Sequence, residues 1–167
     1  MMGSVTNLTR QIPYMEYLRL NFGTTGNKMK LWKSSVKRLH DPRVHQTLKT
    51  LFDAVVADWP FHDYELQISS GYRTPGEQRK LFNAKPPRTR TLNSRHMEGE
   101  AIDIILYWKG TEDAIWDRYS YAFVAGYIWF IADSLGIKVT WGADWNRNMI
   151  IKEEENWEID FVHWEVG

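Results

Sequence analysis

No cysteine occurs in the 167 residues. Disulfide frameworks, thiolate metal sites and cysteine nucleophiles are excluded together. Charge of one sign is not in excess either: 21 Lys and Arg balance 21 Asp and Glu. The basic footprint of phosphate binding is missing, which argues against a general nucleic-acid binder. Long hydrophobic runs are also absent. The longest, Tyr121 to Ala132, has 12 residues and is too short to span a bilayer, so no membrane insertion is expected. It reads as a core helix buried on most sides. The start, MMGSVTNLTRQIPYMEY, lacks the apolar run of a signal peptide. The protein is therefore expected to be made in a cytoplasm, and work elsewhere would need another exit route. No internal repeat or low-complexity linker is found.

What is present suits one domain with a sizeable core: 43% hydrophobic residues, with nine Trp, eight Tyr and seven Phe. Residues 1–32 show weak periodicity and read as an arm or a short extra helix. Asp41-Pro42 reads as a helix start, Asp as N-cap and Pro at the first helical position. Val44, Leu48, Leu51, Phe52 and Val55 then share one helical face, ending near Trp59-Pro60. Glu65 to Ser70 alternates like a half-buried strand. Thr74-Pro75-Gly76-Glu77 is a capping box opening a short helix to about Asn83. Residues 83–93, with two prolines and three basic residues, read as an exposed loop. Ala101 to Trp108 predicts a strand with Ile102, Ile104 and Leu106 on one face and Ala101, Asp103 and Ile105 on the other. A helix is expected over 115–135, stopped by Gly136. A strand over 138–141, a polar loop over 146–157 and a last strand over 158–166 complete the chain. Mixed elements with long connections predict an α+β fold, a small antiparallel sheet flanked by helices.

His40, His45 and His62 lie near the first long helix without a companion pattern. His96 differs. It stands in Ser94-Arg95-His96-Met97-Glu98-Gly99-Glu100-Ala101-Ile102-Asp103. His96 just before a strand and Asp103 on it offer two metal ligands. Gly99 lets the chain turn between them, and small Ala101 keeps that strand face open. A surface loop running into an ordinary strand is the plainer alternative. Near the end, Asp160-Phe161-Val162-His163-Trp164-Glu165 offers a candidate third ligand in His163, or else is a plain terminal edge strand with charged ends. Two His and one carboxylate leave a zinc position open for water, the arrangement of a hydrolytic site. Asp160 would then be the general base. On a flat strand, residues three apart face opposite sides. Asp160 can join His163 only if the strand is bulged or Asp160 lies in the approach to it.

The pattern S-x-H-x-x-G-x-A-x-D, followed by an acid three residues before a His, resembles the zinc D-alanyl-D-alanine metallopeptidase family. The wider group includes lysostaphin-type enzymes and the hedgehog signalling domain. Within it, the chain is most similar to the phage endolysins that are L-alanyl-D-glutamate endopeptidases. The resemblance covers residues 33–167. It includes Ser69-Ser70-Gly71-Tyr72-Arg73-Thr74-Pro75 with Gln78, and Trp141-Gly142-Ala143-Asp144-Trp145. It implies a hedgehog/D-Ala-D-Ala metallopeptidase-like fold with one catalytic zinc ion on His96, Asp103 and His163, and Asp160 as base. Carboxypeptidase members usually carry Glu at that position and the endolysin branch Asp, so Asp160 points to the endopeptidase branch. Position 143 is often Gly in relatives and is Ala here.

By the same resemblance Arg73 lies near the zinc. It would steady the scissile carbonyl oxygen, pair with a substrate carboxylate, or tie turn to helix. Ser94 would hydrogen-bond near the ligands. Gln78 would help bind the peptide or serve structure. Asp144, Trp141, Trp145 and Trp164 form either a groove wall or part of the core. Lys85, Arg88 and Arg90 would face acidic peptide stems or merely solvent. The implied activity is cleavage of the L-alanyl–D-glutamyl bond in the peptide stem of peptidoglycan by a monomeric phage lysis enzyme. It would wait in the host cytoplasm until released to the wall. A carboxypeptidase or dipeptidase of the same family, a non-catalytic zinc module and a virion-borne wall-degrading protein remain as alternatives.

Overall fold

The computed structural model describes residues 29–148 and 160–167. The expectations for 1–28 and for 149–159 lie outside the described residues. Four helices and five strands are described: α1 (Lys33–Leu39), α2 (Gln46–Ala57), β1 (Tyr64–Ser70), α3 (Pro75–Phe82), β2 (Ala101–Trp108), β3 (Ala114–Ile115), α4 (Arg118–Ser134), β4 (Val139–Trp141) and β5 (His163–Val166). A single 3₁₀ turn, Arg95–Met97, precedes β2. The sheet order is β1-β2-β5-β4, with β3 also pairing β2, and every pairing is antiparallel. The expected α+β architecture is therefore present.

Sequence chemistry explains most elements. β2 alternates as its residues predict. Ile102, Ile104 and Leu106 turn to the core, and Asp103 lies on the other face with Ile105. Thr74 and Glu77 form both halves of the capping box on α3. Gly136 ends α4 as expected: its N–H reaches the Asp133 carbonyl at 3.0 Å while Ile137 reaches Ala132 at 2.8 Å. The core lies between the sheet and the helices α2 and α4. Leu48, Leu51, Phe52 and Val55 of α2 meet Val124, Ile128 and Ile131 of α4 and the inner side chains of the sheet. Each such side chain contributes roughly 1.5–3 kcal/mol by leaving water.

Other expectations are corrected. Asp41-Pro42 does not open the helix. The Asp41 carboxylate accepts from the Arg43 N–H at 3.0 Å and closes a local turn, and the helix starts at Gln46 with His45 as N-cap, Nδ1 accepting from Thr47 at 3.2 Å. Helix α1 was not anticipated. It buries only Ser35 and Leu39, too few for a periodic signal. Its Ser35 hydroxyl accepts from the Ile68 N–H at 3.1 Å and donates to the Ile68 carbonyl at 3.3 Å, covering the edge of β1. Ile115 belongs to β3, opposite Leu106, so α4 starts three residues later. α4 is not buried on most sides: Phe123 and Phe130 are 69% and 51% exposed on its outer face. The last strand begins only at His163, and residues 160–162 form a turn. Among the described residues, no helix is long and apolar enough to cross a membrane.

Tyr121 of α4 ties helix to sheet, because its hydroxyl accepts from the buried Leu106 N–H at 3.2 Å. Tyr121→Phe leaves that donor without its partner. The expected loss is about 1–3 kcal/mol of unfolding free energy, read from urea denaturation. A variant as stable as the parent would show that another group can serve Leu106.

Candidate metal centre

Sheet register assembles the site. Asp103 stands opposite Ser70 on one neighbouring strand and opposite His163 on the other. His96 arrives from the 3₁₀ turn before β2. Ser94 caps that turn, its hydroxyl accepting from the His96 N–H at 3.4 Å. Gly99 lets the chain swing into the strand with φ +74°, and a Cβ there would fall 1.8 Å from the Arg43 carbonyl oxygen. His96, Asp103 and His163 are all buried, and each offers one ligand atom within 4.8 Å of the others. The imidazoles stand 5.1 Å apart at 71°.

The outer faces of both imidazoles are occupied. His96 Nδ1 donates to the Gly71 carbonyl at 2.8 Å, which turns Nε2 toward Asp103 Oδ1 at 3.1 Å. His163 Nε2 meets Glu165 Oε2 at 3.1 Å, which leaves Nδ1 toward the same Asp103 oxygen at 3.3 Å. Two ring nitrogens and one carboxylate oxygen thus converge on a shared point. With both imidazoles neutral, ring lone pairs would face that carboxylate oxygen, so the centre calls for either ring protons or a cation. A metal ion held by this donor set satisfies all three, and a histidine-rich set with one carboxylate suits zinc.

The Asp103 carboxylate is neutralised on its other side. Arg73 Nη2 donates to Oδ2, and Arg73 Nε is held by Ser70 Oγ at 2.9 Å. A bulge between Ile68 and Ser70 shifts the register, so that Ser70 rather than Ser69 stands opposite Asp103. Burial disfavours the charge on Asp103, yet hydrogen bonds from His163 and His96, and the charges of His96 and Arg73, hold its carboxyl well below the usual range. Burial likewise disfavours a charged His163, but its bonds to Asp103 and Glu165 prevail and raise it to about 9. The His163 hydrogen bond in turn lowers Glu165.

Asp160 reaches the site through a turn. The His163 N–H donates to the Asp160 carbonyl at 3.1 Å and the Asp160 N–H to the Gly142 carbonyl at 2.9 Å. A Cβ on Gly142 would lie 3.0 Å from the Cβ of His163 and 3.1 Å from that of Asp160. Both side chains therefore flank the same glycine, and the flat-strand conflict is removed because residue 160 precedes the strand. Asp160 is exposed to solvent. The packing around its carboxyl and, next, the negative charge of Asp103 raise it above the ordinary value.

The remaining sequence candidates separate. Gln78 is fully buried and bonded to Arg73 at 3.4 Å. Asp144 is buried and its Oδ1 accepts from the Asn148 N–H at 3.1 Å, anchoring a turn. Trp141 and Trp164 are core residues, stacked at 6.1 Å and 20°. Trp145 is 47% exposed and its ring lies 5.4 Å from that of His163, beside the centre. Lys85, Arg88 and Arg90 are exposed. Sequence reasoning missed Glu165 as the partner of His163. The signal was available, because residues two apart on a strand share a face. It missed the Gly71 carbonyl and Ser70, whose roles come from backbone position and a bulge.

A family model for phage L-alanyl-D-glutamate peptidases matches residues 27–166. Comparison with curated proteins by sequence finds no match. Among solved structures, the chain is similar to the L-Ala D-Glu endopeptidase ChiX of Serratia marcescens. The TM-score is 0.61 at 23% identity, covering 84% of this chain and 92% of that one. The likeness in structure extends to the fold.

Two outcomes are expected of this centre. Glu165→Gln keeps the shape but weakens the acceptor for His163, and metal affinity measured by chelator competition should fall about 10–100-fold. In the metal-free protein, Asp103 contributes stability above the ordinary carboxylate range, ~3.9, and loses it as pH falls. His163 contributes below its ordinary 6.5 and loses its contribution as pH rises through about 9. The urea midpoint of the chelated protein should therefore be highest between ~4 and ~6.5 and fall toward pH 9. A midpoint unchanged between pH 6 and 9 would contradict the charged His163–Asp103 pairing.

Proposed function

This chain belongs to the phage L-alanyl-D-glutamate peptidase family, and from that premise we propose that it is a zinc endopeptidase cutting the L-alanyl–D-glutamyl bond of peptidoglycan stems during phage lysis. The observation that carries the zinc reading is the buried convergence of His96, Asp103 and His163, each with its other polar atoms already engaged. A zinc ion bound there supplies a Lewis acid and lowers the pKa of a water toward ~7.

The chain's own groups do the rest. Asp160, exposed beside His163 and raised above an ordinary carboxyl, takes a proton from the attacking water and returns it to the departing D-glutamyl amine. Arg73 has five N–H groups, and three are engaged by Ser70, Gln78 and Asp103. Among the described residues the other two meet no partner, and they would steady the alanyl carbonyl oxygen as negative charge develops. Trp145 forms an apolar wall beside His163 for the stem. The exposed bases Lys85, Arg88 and Arg90 favour an acidic peptide over a neutral one. Residues 33–167 form the catalytic domain, acting as a monomer that stays in the host cytoplasm until released to the wall.

The test is mass spectrometry of purified peptidoglycan after digestion. New peptides with N-terminal D-glutamate should appear, vanish with chelator and return with zinc. Asp160→Asn should lower kcat by about 10²–10⁴-fold and leave zinc affinity within a few-fold. Release of terminal D-alanine would move the enzyme to carboxypeptidase chemistry. No metal-dependent product would make the centre structural.

A further inference from the structure

Gln78 is the one fully buried residue of α3, and its amide has a fixed sense. Nε2 donates to the Thr91 carbonyl at 2.8 Å and to the Thr89 hydroxyl at 3.2 Å. Oε1 accepts from Arg73 Nη1 at 3.4 Å. A carbonyl only accepts and a guanidinium only donates, so a reversed amide would lose both bonds. A side chain with no exposure and both ends engaged has nothing to offer a substrate.

Both of its attachments lead to the metal centre. Through Arg73 it reaches Asp103 Oδ2. Arg73 occupies that oxygen, so Asp103 presents Oδ1 to both histidines. Through Thr91 it reaches His96. The Thr91 hydroxyl donates to the Asn93 carbonyl at 2.8 Å and accepts from the Asn93 N–H at 2.9 Å, and Ser94 next to it caps the turn that carries His96. We infer that Gln78 is a positioning residue that holds two of the three ligand side chains in place, Asp103 through Arg73 and His96 through the 89–94 segment. The inference deepens the peptidase reading and rests on it for its catalytic consequence.

Only an amide at this position meets both demands. Gln78→Met fills similar volume and makes neither bond. Gln78→Glu accepts from Arg73 more strongly, drawing it from Asp103, and sets a carboxylate against the Thr91 carbonyl. Thr89→Val removes one partner of the amide and leaves the buried glutamine in place. The full-length protein is assayed for zinc affinity by competition with a chromophoric chelator, for urea stability after chelation, and for kcat and KM on stem peptide. Gln78→Met and Gln78→Glu should each weaken zinc binding about tenfold or more. They should lower kcat with KM within twofold, and Thr89→Val should shift zinc affinity in the same direction by less. Should Gln78→Met fail to fold, Gln78→Glu and Thr89→Val give the same reading. Zinc affinity within twofold of the parent in the folded Gln78 variants would overturn the proposal. So would a raised KM at unchanged kcat and zinc affinity, which would place Gln78 against the substrate. A parent protein that binds zinc but releases no D-glutamyl peptide would refute the peptidase reading and leave the affinity comparison intact.

Discussion

A carboxylate on the central strand of a sheet, 8% exposed, cannot stay ionised unless its charge is answered on every side. Asp103 is that group. Oδ1 faces His96 and His163, and Oδ2 faces Arg73. Those three partners come from a 3₁₀ turn, from β5 and from the segment after β1. Satisfying one buried charge therefore fixes the relative placement of three separate parts of the chain. The constraint is strict because strand periodicity is two. A one-residue slip of β5 along β2 would turn His163 and Glu165 to the core face and bring Trp164 to the site. The bulge in β1 has the same logic, since it delivers Ser70 to Arg73 where regular pairing would have offered Ser69.

The aromatic core enforces that register from behind. Trp164 lies between His163 and Glu165 on β5 and points to the opposite face, where it stacks on Trp141 and meets Trp129 and Phe52 edge-on. The same three-residue stretch thus carries a core anchor and two site residues. Ala101, opposite Glu165, is small enough to leave the site face of β2 open. Gly142 completes the enclosure. A Cβ there would fall 2.5 Å from the Asp160 carbonyl oxygen, so the close approach of the Asp160 turn depends on its absence.

Much of this was legible because it rests on local chemistry. The alternation of Ile102, Ile104 and Leu106 around Asp103, the capping box at Thr74 and the stop at Gly136 are written in adjacent residues. The convergence of His96, Asp103 and His163 was legible through spacing and resemblance. What was hidden depends on partners distant in sequence. Asp41-Pro42 has every local mark of a helix start, yet its carboxylate closes a turn on Arg43 and leaves capping to His45. α1 exists to cover a strand edge 30 residues away, which no periodicity announces. Trp141, Trp145 and Trp164 are chemically identical, and only the sheet decides that two are core and one borders His163 of the candidate metal centre. Gln78 looked able to meet a peptide, because nothing near it in sequence reveals that Thr91 and Arg73 already claim both ends of its amide.

Asp103 and Asp160 carry opposite shifts, as the two carboxylate roles of the proposed hydrolysis would require. Against the cost of burial, hydrogen bonds from His163 and His96 and the charge of Arg73 hold Asp103 below its ordinary value, as the proposed ligand role requires. Asp160 is raised, and the negative charge of Asp103 is one cause. In the proposed mechanism the ligand would thereby tune the base: the charge on Asp103 makes Asp160 more willing to hold a proton, as a group must if it is to receive one from water and release it to an amine. A cation shared by the three ligands would offset part of that repulsion, returning Asp160 toward an ordinary carboxylate. Under the proposed function, occupancy of the centre and the basicity of Asp160 would be linked through one buried oxygen pair. That linkage follows from the register of β2 against β5 and from the turn that sets Asp160 beside His163.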